Sequence, residues 1–141
     1  MGLNIRLLHG DKCVINGAVI SCKSQRATIS VENYAHVIRG PDILDPADVK
    51  TPTQHVYFVI QLMLIDAENV ERHKLHYNTV MGQLRYALEN AEVLDTLSRI
   101  DGLVENGDFY AALRELKSVL AYEERLLGDT PAIRPLAEAC P

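Results

Sequence analysis

The chain has 141 residues, 48% of them hydrophobic and 23% charged, with a formal net charge of −5 at pH 7. That length suits one domain or two tightly joined halves, and the charge argues against a protein that coats nucleic acid by bulk electrostatics. Residues 1–50 hold six Lys/Arg against five Asp/Glu and residues 51–141 hold eight against fourteen, so any polyanion contact would be local and belong to the first half.

Met1-Gly2-Leu3-Asn4 opens directly into a strand pattern without a charged n-region or an apolar h-region, which is no secretory signal and points to the cytoplasm. Leu3, Ile5 and Leu7 alternate with Asn4 and Arg6, the mark of a strand with one buried side, and His9-Gly10-Asp11 ends it. In Lys12 to Cys22, Asn16-Gly17 separates two β-branched runs. Both turn residues of such a hairpin must accept positive φ, which Asn and Gly do best. The register then pairs Ile15 with Ala18, Val14 with Val19 and Cys13 with Ile20, and leaves Cys22 opposite Asp11. Three cysteines, Cys13, Cys22 and Cys140, form neither a C-x-x-C nor a zinc-finger spacing and read as reduced, with the first two as small apolar side chains. Lys23 to Arg26 is a polar turn, Ala27 to Glu32 a third run and Tyr34 to Arg39 a fourth, ended by Gly40-Pro41-Asp42. Short strands at this spacing predict a small antiparallel β meander or barrel.

Ile43 to Lys50 reads as a connection. Between His55 and Asp66 nearly every residue is apolar, yet a bilayer needs about 20 such residues. The stretch is therefore an element buried by the chain's own flanks. Its span suits a helix of about three turns, with Thr53 offering an N-cap hydroxyl and Asp66 closing it. Asp66 also stands ready to cap a second helix with an apolar stripe of Val70, His73 or Lys74, Tyr77, Val80, Met81, Leu84 and Leu88. Asn90 heads a third, with Val93, Leu94, Leu97, Ile100, Leu103 and Val104 inward and Gly107 as its left-handed stop. Asp108 heads a fourth, with Phe109, Leu113, Leu116, Leu120 and Leu127 on one face. Short connections make helices two, three and four antiparallel neighbours. The predicted fold is α+β: a β subdomain over 1–50, a bundle of about four helices over 51–128 with its first helix buried, and a flexible tail over 129–141.

Little in the chain suggests an enzyme or a cofactor. His73 and His76 lie three apart on a helix but lack a carboxylate partner at ligand spacing, and His9, His36 and His55 are scattered. Gly10 and Gly17 are isolated turn glycines, no phosphate loop. Glu123-Glu124 reads as a solvated helix face. Arg6, Lys12, Lys23, Arg26 and Arg39, interleaved with Asn33, Tyr34 and His36, suit a small sheet on which guanidinium groups meet phosphates and rings stack on bases. Exposed arginines on strands also serve solubility.

Several pieces occur in one order: Ile15 to Ile20, Arg26 to Asn33, Ala35 to Arg39 with Asp42-Ile43, and Thr51-Pro52 leading to Val56-Tyr57-Phe58 and Gln61 to Asp66. Gly107-Asp108-Phe109-Tyr110-x-Ala112-Leu113, Leu120 to Glu124 and Leu127-Gly128 follow. From about Leu3 to Gly128 this resembles the FlbT family of flagellar-biosynthesis regulators. The resemblance implies a cytoplasmic bacterial protein that binds the 5′ untranslated region of flagellin mRNA, usually repressing translation and promoting decay, with some members activating instead. Thr53-Gln54-His55 departs from the family, whose members tend to carry basic residues there. From Gly10-Asp11 to Ile43 the first half is also similar in topology to carbon-storage-regulator proteins, small β-rich dimeric mRNA binders. On this reading Arg6, Lys23, Arg26 and Arg39 contact RNA, and open strand edges favour a homodimer. The alternative is an adaptor or chaperone docking flagellin or another flagellar regulator through a helical groove.

Overall fold

A computed structural model describes residues 2–128; the tail 129–141, with Cys140, lies outside the described residues. Five strands, β1 (Leu3–Leu8), β2 (Lys12–Ile15), β3 (Ala18–Ser21), β4 (Arg26–Val31) and β5 (Val37–Arg39), precede four helices, α1 (Pro52–Ile65), α2 (Val70–Ala87), α3 (Ala91–Glu105) and α4 (Phe109–Gly128). The class is α+β, as the sequence predicts.

Asn16 and Gly17 have φ of +49° and +88°, which is the type I′ signature. The hairpin register is the predicted one, with Ile15 opposite Ala18 and Cys13 opposite Ile20, and the Cys22 amide donates to the Asp11 carbonyl at 3.0 Å. Strand order is not that of a plain meander. β1 pairs with β4, which returns beside it after the β2–β3 hairpin, while β2 sits between β3 and β5 in a second sheet. Alternation dictates the first pairing: Leu3, Ile5 and Leu7 stand opposite Val31, Ile29 and Ala27 and turn one shared face inward. Of the predicted fourth run only Val37–Arg39 is strand, because the backbone of His36 is already engaged by Asn16 through bonds of 2.8 Å in each direction.

The two sheets share a small core of Ile5, Leu7, Cys13 and Cys22. Val14 and Ile38, which stand opposite each other on β2 and β5, point to the other side and join the larger core with α1. β2 is thus the middle layer, with Cys13 buried on one face and Val14 on the other.

α1 is buried or half-buried all round except at Pro52, as a helix apolar on every side must be. Its N-cap is Thr51 rather than Thr53: the Thr51 hydroxyl accepts from the Gln54 amide at 3.1 Å, and the Gln54 side chain closes a capping box. Pro52 explains the shift, since a proline lacking an N–H and with φ preset is suited to the first helical position. Gln61, buried within the apolar run, donates to the Leu44 carbonyl at 2.9 Å and accepts from the Leu44 amide at 2.8 Å. Both halves of its amide are satisfied, and the 43–50 connection is fastened to α1.

α1 packs on α2 and α4, and α3 on α4. The predicted neighbours α2 and α3 approach less closely, because the stripe of α2 finds its apolar partner on α1. Those two helices meet through Tyr77, whose hydroxyl donates to Asp101 at 2.5 Å, and through Arg85, which pairs with the same carboxylate. Asp66 closes α1 as expected but does not cap α2. It heads a 3-10 turn, Ala67–Asn69, and its carboxylate accepts from the Asn69 side chain at 3.0 Å. Asn90 caps α3 through the Val93 amide at 3.1 Å, and Gly107 has φ +79°. Among the described residues no helix is long and apolar enough to cross a membrane.

Candidate nucleic-acid interface

Antiparallel partners share a face, so the β1–β4 register puts Asn4, Arg6 and Leu8 beside Ser30, Thr28 and Arg26 on one exposed outer face. Arg6 stands opposite Thr28 and Arg26 opposite Leu8, which makes the two arginines diagonal neighbours on the order of 7–8 Å apart at Cα. Two guanidinium groups so placed repel, and among the described residues neither has an ion-pair partner. An anion at this face would relieve that repulsion.

Lys23 lies exposed in the turn that leads into Arg26. That turn is tied down, with the His9 amide donating to the Gln25 carbonyl at 3.0 Å and the Ser24 hydroxyl to the Arg26 carbonyl at 3.0 Å. Arg39 is also exposed but belongs to the other sheet, opposite Cys13. The fold therefore brings Arg6 and Arg26 together, sets Lys23 beside them in the chain, and puts Arg39 on a different sheet. Over residues 2–40 there are five Lys/Arg and two Asp/Glu, a local excess that the total charge conceals.

Where this half meets the helices, three rings adjoin. His36 stacks on Tyr110 of α4 at 4.5 Å between centroids and 21° between planes, and Tyr34 meets His36 edge-on at 5.2 Å. The Tyr110 hydroxyl accepts from the Gly17 amide at 3.3 Å. Burial pushes the Tyr110 phenol up, and the backbone bonds from Gly17 and Asn16 pull it partly back. Tyr110 stands 74 positions beyond His36, and no spacing rule could have joined them.

His55, His73, His76 and Asp66 serve the scaffold. His73 and His76 do not converge: the His73 ring lies 3.0 Å from the Asp66 carboxylate, whereas His76 meets His55 of α1 edge-on at 5.1 Å. The bond from His73, followed by that from Asn69, holds Asp66 below the ordinary carboxylate range. Burial lowers His55, and the neighbouring His76 lowers it further. Among the described residues no group of three or more His, Cys, Asp or Glu could hold a metal.

Glu123 corrects the solvated-face reading of Glu123-Glu124. Only 9% exposed, it accepts from the Thr53 hydroxyl at 2.9 Å and from the Thr53 amide at 3.3 Å, so a carboxylate from α4 sits at the positive end of α1. Its place on the stripe of α4, seven residues beyond Leu116, was the available signal. Beside it a groove of about 320 Å³ opens between Pro41, Leu44, Tyr57 and Leu120. The Tyr57 hydroxyl, which donates to the Asp42 carbonyl at 2.6 Å, is pushed up to about 12 by burial and the Asp42 charge.

These features define a class: a four-helix scaffold carrying a small, locally basic pair of antiparallel sheets. The chain belongs to the family described as "Flagellar protein FlbT", which matches residues 3–127. Among its relatives is the "Flagellum biosynthesis repressor protein FlbT" of Caulobacter vibrioides, 31% identical over 128 residues, covering 91% of each chain. The "Probable flagellum biosynthesis repressor protein FlbT 1" of Bradyrhizobium diazoefficiens is 30% identical over 140 residues, 99% of this chain and 94% of its own. A relative from Agrobacterium fabrum is 31% identical over 133 residues, 92% and 89% respectively. No solved structure matches the chain.

Proposed function

We propose that this chain is a cytoplasmic, non-enzymatic repressor of flagellum biosynthesis that acts after transcription, binding the 5′ untranslated region of flagellin mRNA and lowering its translation and lifetime. Family membership and the repressor names of its relatives support the flagellar and repressive parts. The RNA part rests on one observation, the outer β1–β4 face with Arg6 and Arg26 side by side and without ion pairs among the described residues. Both would neutralise phosphates, assisted by Lys23, while Arg39 would contribute from the second sheet. Open edges on both sheets favour a homodimer.

Fluorescence titration against flagellin leader RNA and a scrambled RNA tests this. An Arg6→Ala, Arg26→Ala double variant is expected to bind both RNAs more weakly and to flatten the log Kd against log salt slope by about two, one per lost phosphate contact. Wild-type binding that the double variant leaves unchanged would remove these sites. A second reading is favoured by α2, where Leu75 and Tyr86, 70% and 94% exposed, lie three turns apart on one face. A flagellar regulatory protein or flagellin would dock there, with little salt dependence. Absence of binding to either RNA, together with co-purification of a flagellar protein lost on Leu75→Ala, would move the assignment to it.

A further inference from the structure

The 32–36 segment does not extend the sheet, and its backbone and rings are engaged in a different way. His36 is held on three sides: its amide donates to the Asn16 side-chain oxygen at 2.8 Å, its carbonyl accepts from the Asn16 amide at 2.8 Å, and its ring is stacked on Tyr110. The Asn16-Gly17 turn is itself fixed by positive φ at both residues and by the Tyr110 hydroxyl. From this anchored point Tyr34 projects, 83% exposed, with its ring set by the edge-on contact with His36. An exposed tyrosine ordinarily samples several rotamers; this one is braced by a ring that is itself braced. Tyr86 supplies the contrast within the same molecule, since it is 94% exposed and makes no ring contact among the described residues.

Beside Tyr34 an open groove of about 500 Å³ is lined by Leu3, Val31, Glu32, Asn33 and Val37. It offers apolar side chains to the plane of a base and the exposed Asn33 amide to its edge. Glu32, whose carboxylate accepts from the Ser30 hydroxyl, continues the outer row of Arg26, Thr28 and Ser30 on β4. A carboxylate there repels phosphate, so a nucleotide at Tyr34 would present its base, with its phosphates running back toward Arg6. Roughly 13 Å of strand separates Thr28, the partner of Arg6, from Glu32.

We infer that Tyr34, positioned by His36 and Tyr110, is a stacking platform for an unpaired base of single-stranded RNA, with Asn33 reading the base edge. This rests on the RNA-binding reading above and adds to it the strand state of the target: a base inside a duplex is already stacked and cannot reach a side-chain ring. His36 and Tyr110 are positioning residues, since each acts through Tyr34.

The test is titration of the full chain with leader RNA in unpaired form and annealed to its complement, across a salt series. Tyr34→Ala is expected to weaken unpaired-RNA binding by about 5- to 150-fold, the loss of one stacked base, with the salt slope unchanged because no phosphate contact is removed. Tyr34→Phe keeps the ring and should bind like wild type, as should Tyr86→Ala. Binding to the annealed duplex should be indifferent to Tyr34→Ala. Ultraviolet crosslinking followed by peptide mapping should mark residues 33–36 in the wild type and lose that adduct in Tyr34→Ala. Because Tyr34 is exposed, folding is not at issue, and far-UV circular dichroism of the variant should be unaltered. Wild-type RNA binding with unchanged Tyr34→Ala affinity overturns the platform and spares the basic face. A fall in the Tyr34→Ala salt slope, or an equal loss with Tyr86→Ala, also overturns it. No RNA binding by the wild type overturns the RNA-binding reading, and the platform with it.

Discussion

Two cores of unequal size hold this molecule together. Among the described residues twenty buried side chains gather around α1, whereas four, Ile5, Leu7, Cys13 and Cys22, gather between the sheets. Each fully buried aliphatic side chain contributes roughly 1.5–3 kcal/mol, so the smaller cluster stabilises far less than the larger. The middle sheet compensates by lending Val14 and Ile38 to the larger core, and the hairpin tip is fastened to α4 through Tyr110. The β1–β4 sheet covers the far side of that middle layer, which leaves its own outer face without a packing duty. On that outer face stand Arg6 and Arg26, so changing them should cost little stability while a candidate binding surface is probed.

Truncating one residue in the larger core and one packed against the smaller tests the inequality most directly. Ile60→Ala, in the fully buried centre of α1, is expected to cost about 2–5 kcal/mol, whereas Ile29→Ala, half-buried on β4, should cost less than about 2 kcal/mol. Urea denaturation reads both through the shift in midpoint at constant m-value. Equal losses would mean that the β core is as consequential as the helical one.

A pair of glycines isolates the docking of the hairpin. Gly10 and Gly17 share φ of +88°, but a Cβ at Gly10 meets nothing within 4 Å, while one at Gly17 would lie 3.0 Å from the Leu64 carbonyl. Alanine at either position pays the left-handed strain of about 1–2 kcal/mol; at Gly17 it also forces the hairpin away from α1. Gly17→Ala should therefore lower Tm more than Gly10→Ala. Identical shifts would show that close approach to α1 contributes nothing.

Much of this arrangement was legible in the sequence, for reasons that are local. Asn16-Gly17 announces its turn because only such residues tolerate its φ, and Asn90 and Gly107 mark helix ends because unsatisfied amides and carbonyls must be met there. The apolar run 55–65 is buried because it has no polar face. What escaped was decided at a distance. The β1–β4 pairing skips a whole hairpin, Thr51 displaced Thr53 through the preference of Pro52, and Glu123 is buried because Thr53 lies 70 positions away in the chain but adjacent in the fold. Of the candidate site, the residue types and their half of the chain could be read beforehand. That Arg6 and Arg26 share a face follows from the register, and the bracing of Tyr34 depends on Tyr110, which carried no signal of its own.

The smallest expected effect concerns the seam between α1 and α2, and it separates helical from β stability by pH. His55 is half-buried on α1 against His76 of α2, and burial first, His76 second, lowers its pKa below the ordinary 6.5. A lowered histidine pKa means that the unfolded chain takes up a proton before the folded one does. Stability is therefore unaffected by this group well above 6.5, and falls as pH drops through 6.5 toward the folded value. Asp66 does not confound that window, because its lowered pKa starts from 3.8, and its contribution is lost only in more acidic solution. Thermal melts from about pH 7.5 down to about pH 5.5 should show Tm falling in the wild type and falling less in His55→Gln. His76→Gln should give an intermediate slope, since it removes the second cause and leaves the burial. The outer β1–β4 face carries no histidine, so the pH response should be indifferent to Arg6→Ala and Arg26→Ala. A slope that those substitutions alter, or that His55→Gln leaves intact, would place the acid sensitivity outside the α1–α2 seam.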